Sequence, residues 1–151
     1  MFSTENVIVA DLDSNYHNKV VRPQDISRPG VLTWKLESSS DFTTLDLQYS
    51  GRTYQNDDKI KNQSVKWYFS TDNSEWTPIG EIQTDEGNFT LPRSIKLDLE
   101  GRGIQTFYVK CEIKEVANDT WACLNDVKIK KKAPSREIDS VVLGSTGGAV
   151  F

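Results

Sequence analysis

The chain predicts an all-β fold, a sandwich or barrel of antiparallel strands, and three observations lead there. Apolar and polar residues alternate along most of its length, turn-forming clusters punctuate that alternation at short intervals, and helical spacing of apolar residues is nearly absent. With 151 residues and 36% hydrophobic content, it has the material for one β domain with a modest core.

The strands follow in order from the alternation. They are expected over 6–11, 31–36, 43–50, 64–70, 77–83, 94–99, 105–113 and 121–130. Between them stand "RPG" at 28–30, "SGR" at 50–52, "TDNSE" at 71–75, "DEGN" at 85–88 and "EGRG" at 100–103. Glycine and asparagine supply positive φ there, and aspartate and serine bond to nearby backbone.

The stretch "VKWYFSTDNSEWTPIGE" at 65–81 is the most aromatic in the chain. Alternation puts Val65, Trp67 and Phe69 on one face, a core face, and Lys66 and Tyr68 on the other. Trp76 follows the turn, where it caps the end of the core or stands exposed.

The two cysteines, Cys111 and Cys123, sit in the strand-like segments "TFYVKCEI" and "WACLNDVKI". The intervening "KEVANDT" suits a turn, so the two segments are expected to pair as an antiparallel hairpin with the thiols nearly opposite. Phe107, Val109, Cys111 and Ile113 share one face of the first segment, and Trp121, Cys123, Val127 and Ile129 share one face of the second. Two buried, reduced thiols are the expected state and a disulfide is the alternative.

Composition changes after Lys132. The domain is expected over 1–132, with 133–151 as a C-terminal extension. The apolar pieces "SVVLG" and "GAVF" are too short to fold alone, so they either complete the domain's own sheet or dock on another subunit by strand addition. The second reading makes Val141, Val142, Leu143, Val150 and Phe151 assembly residues. The run "KIKKK" at 128–132 reads as edge-strand protection against sheet-to-sheet aggregation.

Charge and motif exclude several classes. A net charge of −4 offers no cationic excess for nucleic acid. No apolar run approaches the about 20 residues that cross a bilayer as a helix. His17 is the only histidine, with no orienting carboxylate or nucleophile turn around "NYHNK", and "GSTGG" lacks the lysine and helix of a phosphate loop. The spacing of Asp11, Asp13 and Asn15 imitates an EF-hand opening, yet no glycine follows at the required place and the twelfth position is Arg22. No enzyme activity is expected. The start "MFSTENVIVADLDSNYH" lacks the features of a secretory signal, so the expectation is a chain made and kept in the cytoplasm or one that leaves it by another route.

"WYFSTDNSEWTPIG" resembles the hairpin of discoidin-like and other galactose-binding-like β-sandwich modules. "IKLDLEGRGIQTFYVKCEI" followed by "ACLNDVKI" resembles the closing strands of that fold, with Lys110 as a rough match to its basic strand residue. The resemblance spans 65–130. It implies an antiparallel jelly-roll sandwich, with an immunoglobulin- or fibronectin-like sandwich as the alternative architecture. It further implies loops at one end that bind sugar, often with a structural calcium.

Sugar binding calls for a flat aromatic beside polar side chains. Tyr16, Tyr54, Trp76 and Trp121 are the aromatic positions expected in loops. Around Tyr54, the residues Arg52, Gln55, Asn56, Asp57 and Asp58 form the densest polar set. The expected ligand site is therefore Arg52, Tyr54, Gln55, Asn56 and Asp57, with Trp76. No cofactor is required, and Asp11, Asp13 and Asp41, or Asp57 and Asp58, supply the oxygen ligands should calcium be present.

Two functional expectations remain. The first is a structural subunit of a larger particle, such as a bacteriophage virion accessory protein (capsid decoration, head fibre or tail appendage), partnered by protein subunits or itself and displaying some glycan recognition. The second is a carbohydrate-binding module of the discoidin-like type. The matching locations are a virion or assembly surface for the first, and secretion or the cell surface for the second.

Overall fold

The computed structural model describes residues 3–11, 19–54, 64–83, 93–115, 121–133 and 136–144. They form β1 (Ser3–Glu5), β2 (Val7–Asp11), β3 (Lys19–Pro23), β4 (Gly30–Glu37), β5 (Thr44–Tyr54), β6 (Ser64–Ser70), β7 (Thr77–Gln83), β8 (Arg93–Asp98), β9 (Thr106–Lys114), β10 (Trp121–Ala133) and β11 (Arg136–Gly144). No helix occurs among the described residues.

Two sheets result, ordered β1-β4-β9-β6-β7 and β2-β3-β10-β5-β8, with β11 paired to β10. Every pairing is antiparallel. From β3 to β10, each connection except the β6–β7 hairpin crosses between sheets. That crossing pattern makes the molecule an antiparallel sandwich of the jelly-roll kind.

The inner faces meet in one apolar core. Leu32, Trp34 and Leu36 of β4, Val65, Trp67 and Phe69 of β6, and Phe107, Val109, Cys111 and Ile113 of β9 face Leu45, Leu47 and Tyr49 of β5 and Ile129 of β10. Alternation along each strand sends the intervening residues outward. Trp34 and Trp67 stack at 5.5 Å with planes 23° apart, and Phe42 meets Phe107 edge-on at 4.9 Å. The aromatics of the 65–81 stretch therefore divide, with Trp67 and Phe69 in the core and Tyr68 on the outer face.

Several expectations need correction. The segments bearing the two cysteines do not form a hairpin: β9 pairs with β4 and β6, and β10 pairs with β5, β3 and β11 in the other sheet. Cys111 is a free, buried thiol, and burial pushes its pKa well above the usual thiol value. Cys123 has Arg52 as its register partner, and the register shifts between Leu124 and Asp126. The unbroken alternation expected from Trp121 to Ile129 is thus interrupted by a bulge-like irregularity. The strand carrying Lys128 to Lys132 lies between β5 and β11, so it is an internal strand and those lysines do not guard an edge.

The expected boundary after Lys132 falls within β10, which runs to Ala133. Val141 and Val142 take Ile129 and Lys128 as register partners, with Leu143 in the same strand. Val150 and Phe151 lie outside the described residues.

Asn6 ties the start of the chain to the β3–β4 connection. Its backbone is left-handed, with φ 54°, a conformation asparagine tolerates better than most residues. Its Nδ2 donates to the carbonyls of Asp25 at 2.8 Å and Arg28 at 2.9 Å, and its Oδ1 accepts from Asp25 N at 2.9 Å. Asn6→Ala removes these bonds and keeps the unfavourable φ, so a loss of about 2 kcal/mol is expected in denaturant unfolding. Asn6→Gly is expected to lose less, because it relieves the backbone cost; equal losses would show that the φ is unimportant.

Candidate functional site

The outer face of the five-stranded sheet gathers aromatic and charged side chains whose positions follow from strand register. Lys110 of β9 is opposite Tyr68 of β6, which in turn is opposite Pro78 of β7. The next outward row along the strands reads Glu112, Lys66 and Glu81. On the other side, Tyr108 of β9 lies between Lys35 of β4 and Ser70 of β6. Beside this face, Lys66, Tyr68, Pro78, Gly80 and Glu81 line a cleft of about 290 Å³.

Lys110 organises the centre of the face. Its Nζ lies 4.3 Å from the ring centroid of Trp76 and 5.0 Å from that of Tyr68, with Glu112 Oε2 at 3.6 Å. An ammonium between two π faces fixes both rings against the sheet. Trp76 and Tyr68 remain half-buried, so part of each ring reaches solvent. Lys35 repeats the arrangement more loosely, 5.9 Å from the Tyr108 centroid and 3.1 Å from Glu37. Desolvation raises the Tyr68 phenol above its ordinary pKa, helped by the negative charges of Glu112 and Glu81, so it stays a neutral hydroxyl at physiological pH.

Trp76 is held in place by the turn before it. Ser70 Oγ accepts from Asp72 N at 3.2 Å and Asn73 N at 3.0 Å, and Asp72 Oδ1 accepts from Ser74 N and Glu75 N, both at 2.9 Å. Asn73 takes the left-handed conformation with φ 60°. Each amide of the tip from 72 to 75 therefore has a side-chain acceptor, and Trp76 leaves a defined loop.

The backbone hydrogen bonds from Glu75 and Ser74 hold the Asp72 carboxyl below its usual pKa. A lowered pKa means the anchoring is present above the unfolded value near 3.8 and is lost as pH falls through the lower folded value. Acidification is thus expected to release the tip and shift Trp76 emission only below about pH 4. Asp72→Ala should show the released spectrum at neutral pH, and an unchanged spectrum would mean that the capping does not position the ring.

A second depression adjoins this face at one end of the sandwich. Thr71, Arg102, Gly103, Ile104, Gln105 and Thr106 line a volume of about 500 Å³. Thr71 follows β6 and Thr106 begins β9, so the depression lies at the end of these strands, just beyond the register pair of Ser70 and Tyr108.

The structure redistributes the expected ligand residues. Arg52 and Tyr54 belong to β5 rather than a loop, because the ladder with β10 continues to the pair of Tyr54 and Trp121. Trp121 is likewise a strand residue. Trp76 follows β6 in the opposite sheet, so it does not join Arg52 and Tyr54 on one surface element. Gln55, Asn56, Asp57 and Asp58, together with Tyr16 and His17, lie outside the described residues.

Among the calcium candidates, Asp41 Oδ1 accepts the Gln105 amide at 2.9 Å and Asp11 lies in β2, while Asp13 is outside the described residues. No group of three or more His, Cys, Asp or Glu suited to a metal occurs among the described residues. The described carboxylates therefore do not make the expected calcium site. The residues that sequence reasoning left out of the site are Tyr68, Tyr108, Glu112 and Lys110; the signal was the outward register of alternate residues on 64–70 and 105–113.

No family model matches the chain, and no curated protein matches it. Among solved structures, it is similar to TmCBM61 in complex with β-1,4-galactotriose, with a TM-score of 0.54 and 11% identity over 86% of each chain. The fold is a galactose-binding-like β-sandwich. TmCBM61 is a carbohydrate-binding module, and the comparison lends no support to a bacteriophage virion role.

Proposed function

We propose that this protein is a non-catalytic carbohydrate-binding module whose glycan lies on the outer face of the five-stranded sheet. The observation that carries this reading is the Trp76–Lys110–Tyr68 arrangement beside the cleft lined by Lys66, Pro78 and Glu81. A pyranose presents an axial C–H face to an aromatic ring and a rim of hydroxyls to polar neighbours. Here the rings supply the first contact, and Lys66, Glu81 and Glu112 supply donors and acceptors for the second. The capped hairpin tip holds Trp76 before the ligand arrives, which reduces the ordering cost of binding.

The carbohydrate-binding neighbour supports this reading over a particle subunit, and its bound galactotriose suggests which sugars to test first. Calorimetric titration with β-linked galacto- and gluco-oligosaccharides is expected to show saturable binding to at least one. Trp76→Ala should weaken it at least about tenfold, equivalent to about 1.4 kcal/mol, without lowering the melting temperature appreciably. Unchanged affinity in that variant would remove the site from consideration. Failure of every sugar at millimolar concentration would remove the function.

A further inference from the structure

The polar depression beside the aromatic face contains a cation unlike the lysines around it. Lys110 and Lys35 each lie against a carboxylate, at 3.6 Å from Glu112 and 3.1 Å from Glu37. Arg102 is exposed, and among the described residues no carboxylate forms an ion pair with it. Its guanidinium carbon lies 5.7 Å from the Phe69 ring centroid, which orients the planar group without neutralising it.

The surrounding backbone is firmly tied. Arg102 N donates to Leu99 O at 3.2 Å, closing a turn in which Gly101, with φ 77°, takes the position that needs a left-handed residue. Phe42 N donates to Ile104 O at 2.7 Å and Ser38 N to Gln105 O at 2.9 Å. Asp41 accepts from Gln105 and Asp72 from Ser74 and Glu75, while Glu100, two residues before Arg102, is exposed and forms no ion pair with it. What remains toward the depression is a guanidinium fork flanked by the hydroxyl-bearing Thr71 and Thr106.

We infer that Arg102 is the anion subsite of the glycan-binding face, selecting sugars that carry an oxyanion, either a uronate carboxylate or a sulfate ester. This rests on the carbohydrate-binding reading above. Thr71 follows Ser70 directly and Thr106 stands two residues from Tyr108, so an oligosaccharide running along β6 and β9 from the aromatic face heads toward the depression. A sugar ring on Trp76 and Tyr68 directs its neighbour toward the Thr71–Thr106 edge, where two oxygens of a carboxylate or sulfate pair with the guanidinium through two N–H bonds. A neutral sugar gains nothing comparable there.

The test is a titration of the full chain with three oligosaccharides of equal length: a neutral galactan, a galacturonan and a sulfated galactan. At low salt at least one acidic ligand is expected to bind roughly tenfold more tightly than the neutral one, with the advantage shrinking as salt is raised. The preferred ligand identifies carboxylate or sulfate as the group recognised. Arg102→Met should erase the preference and leave neutral binding intact, while Arg102→Lys should restore part of it. Neutral binding without an acidic preference, or a preference that survives Arg102→Met, overturns the anion subsite and leaves the carbohydrate reading standing. Absence of binding by all three overturns both.

Discussion

Trp67→Ala is expected to lower the free energy of unfolding by about 3–5 kcal/mol, a large part of the about 5–15 kcal/mol that holds an ordinary domain folded. Trp67 is fully buried at the centre of the sandwich. It stacks on Trp34 at 5.5 Å and lies 5.2 Å from Tyr49 of the facing sheet, so truncation leaves a cavity bordered by both sheets. The neighbours on β6 and β9 are pinned by ladders on both edges and cannot collapse far to fill it. Trp67→Phe should cost much less, within about 1.5 kcal/mol. The indole Nε1 of Trp67 is buried with no hydrogen-bond partner among the described residues, so phenylalanine removes an unmatched donor as well as volume. Urea unfolding of both variants checks this, and a small loss in Trp67→Ala would mean that the core repacks freely.

Much of this architecture was legible from the chain, and the limits were physical. Strands β6 and β7 have the bounds expected for them, because β6 shows period-two alternation and the turn-forming clusters at 71–75 and 85–88 bracket β7. Two strands carry no clear alternation: Ser3–Glu5 is short and exposed throughout, and Lys19–Pro23 ends in a proline. Arg136–Gly144 pairs with β10, which is the reading in which the extension completes the domain's own sheet. The larger error was to pair β9 with β10 because they are neighbours in sequence. In a jelly roll successive strands usually change sheets, and alternation reports which residues face the core without reporting which strand lies alongside. The bulge-like irregularity in β10 likewise has no local sequence mark.

The site was legible in part for the same reason. Trp76 and Tyr68 could be placed from local pattern, but their meeting at Lys110 depends on the register of β6 against β9, a contact 42 residues apart in the chain. Polar density around Tyr54 drew attention to a stretch whose first residues prove to be strand. Composition finds polar stretches, whereas a binding face is assembled from single outward residues on several strands.

The second large effect lies where the two sheets are joined by charge. Arg22 of β3 donates from Nη2 to Glu115 Oε2 at 2.9 Å, and Glu115, just past the end of β9, has a side chain with 0% exposure against 25% for Arg22. The partners belong to different sheets, so the pair fixes the six-stranded sheet against the five-stranded one at this corner. The unequal burial predicts unequal costs. Arg22→Met removes the guanidinium bonded to an interior carboxylate at 2.9 Å, and about 3 kcal/mol of stability is expected to be lost. Glu115→Gln leaves an arginine that already reaches water, and its cost should be about half as large. Replacing both, as Arg22→Met with Glu115→Leu, should recover most of the loss, because two charges no longer require desolvation. Chemical unfolding of the two single variants and the double variant measures the coupling directly. Additive losses in the double variant would show that the pair contributes nothing beyond its separate side chains, and would leave the apolar core as what holds the sheets in register.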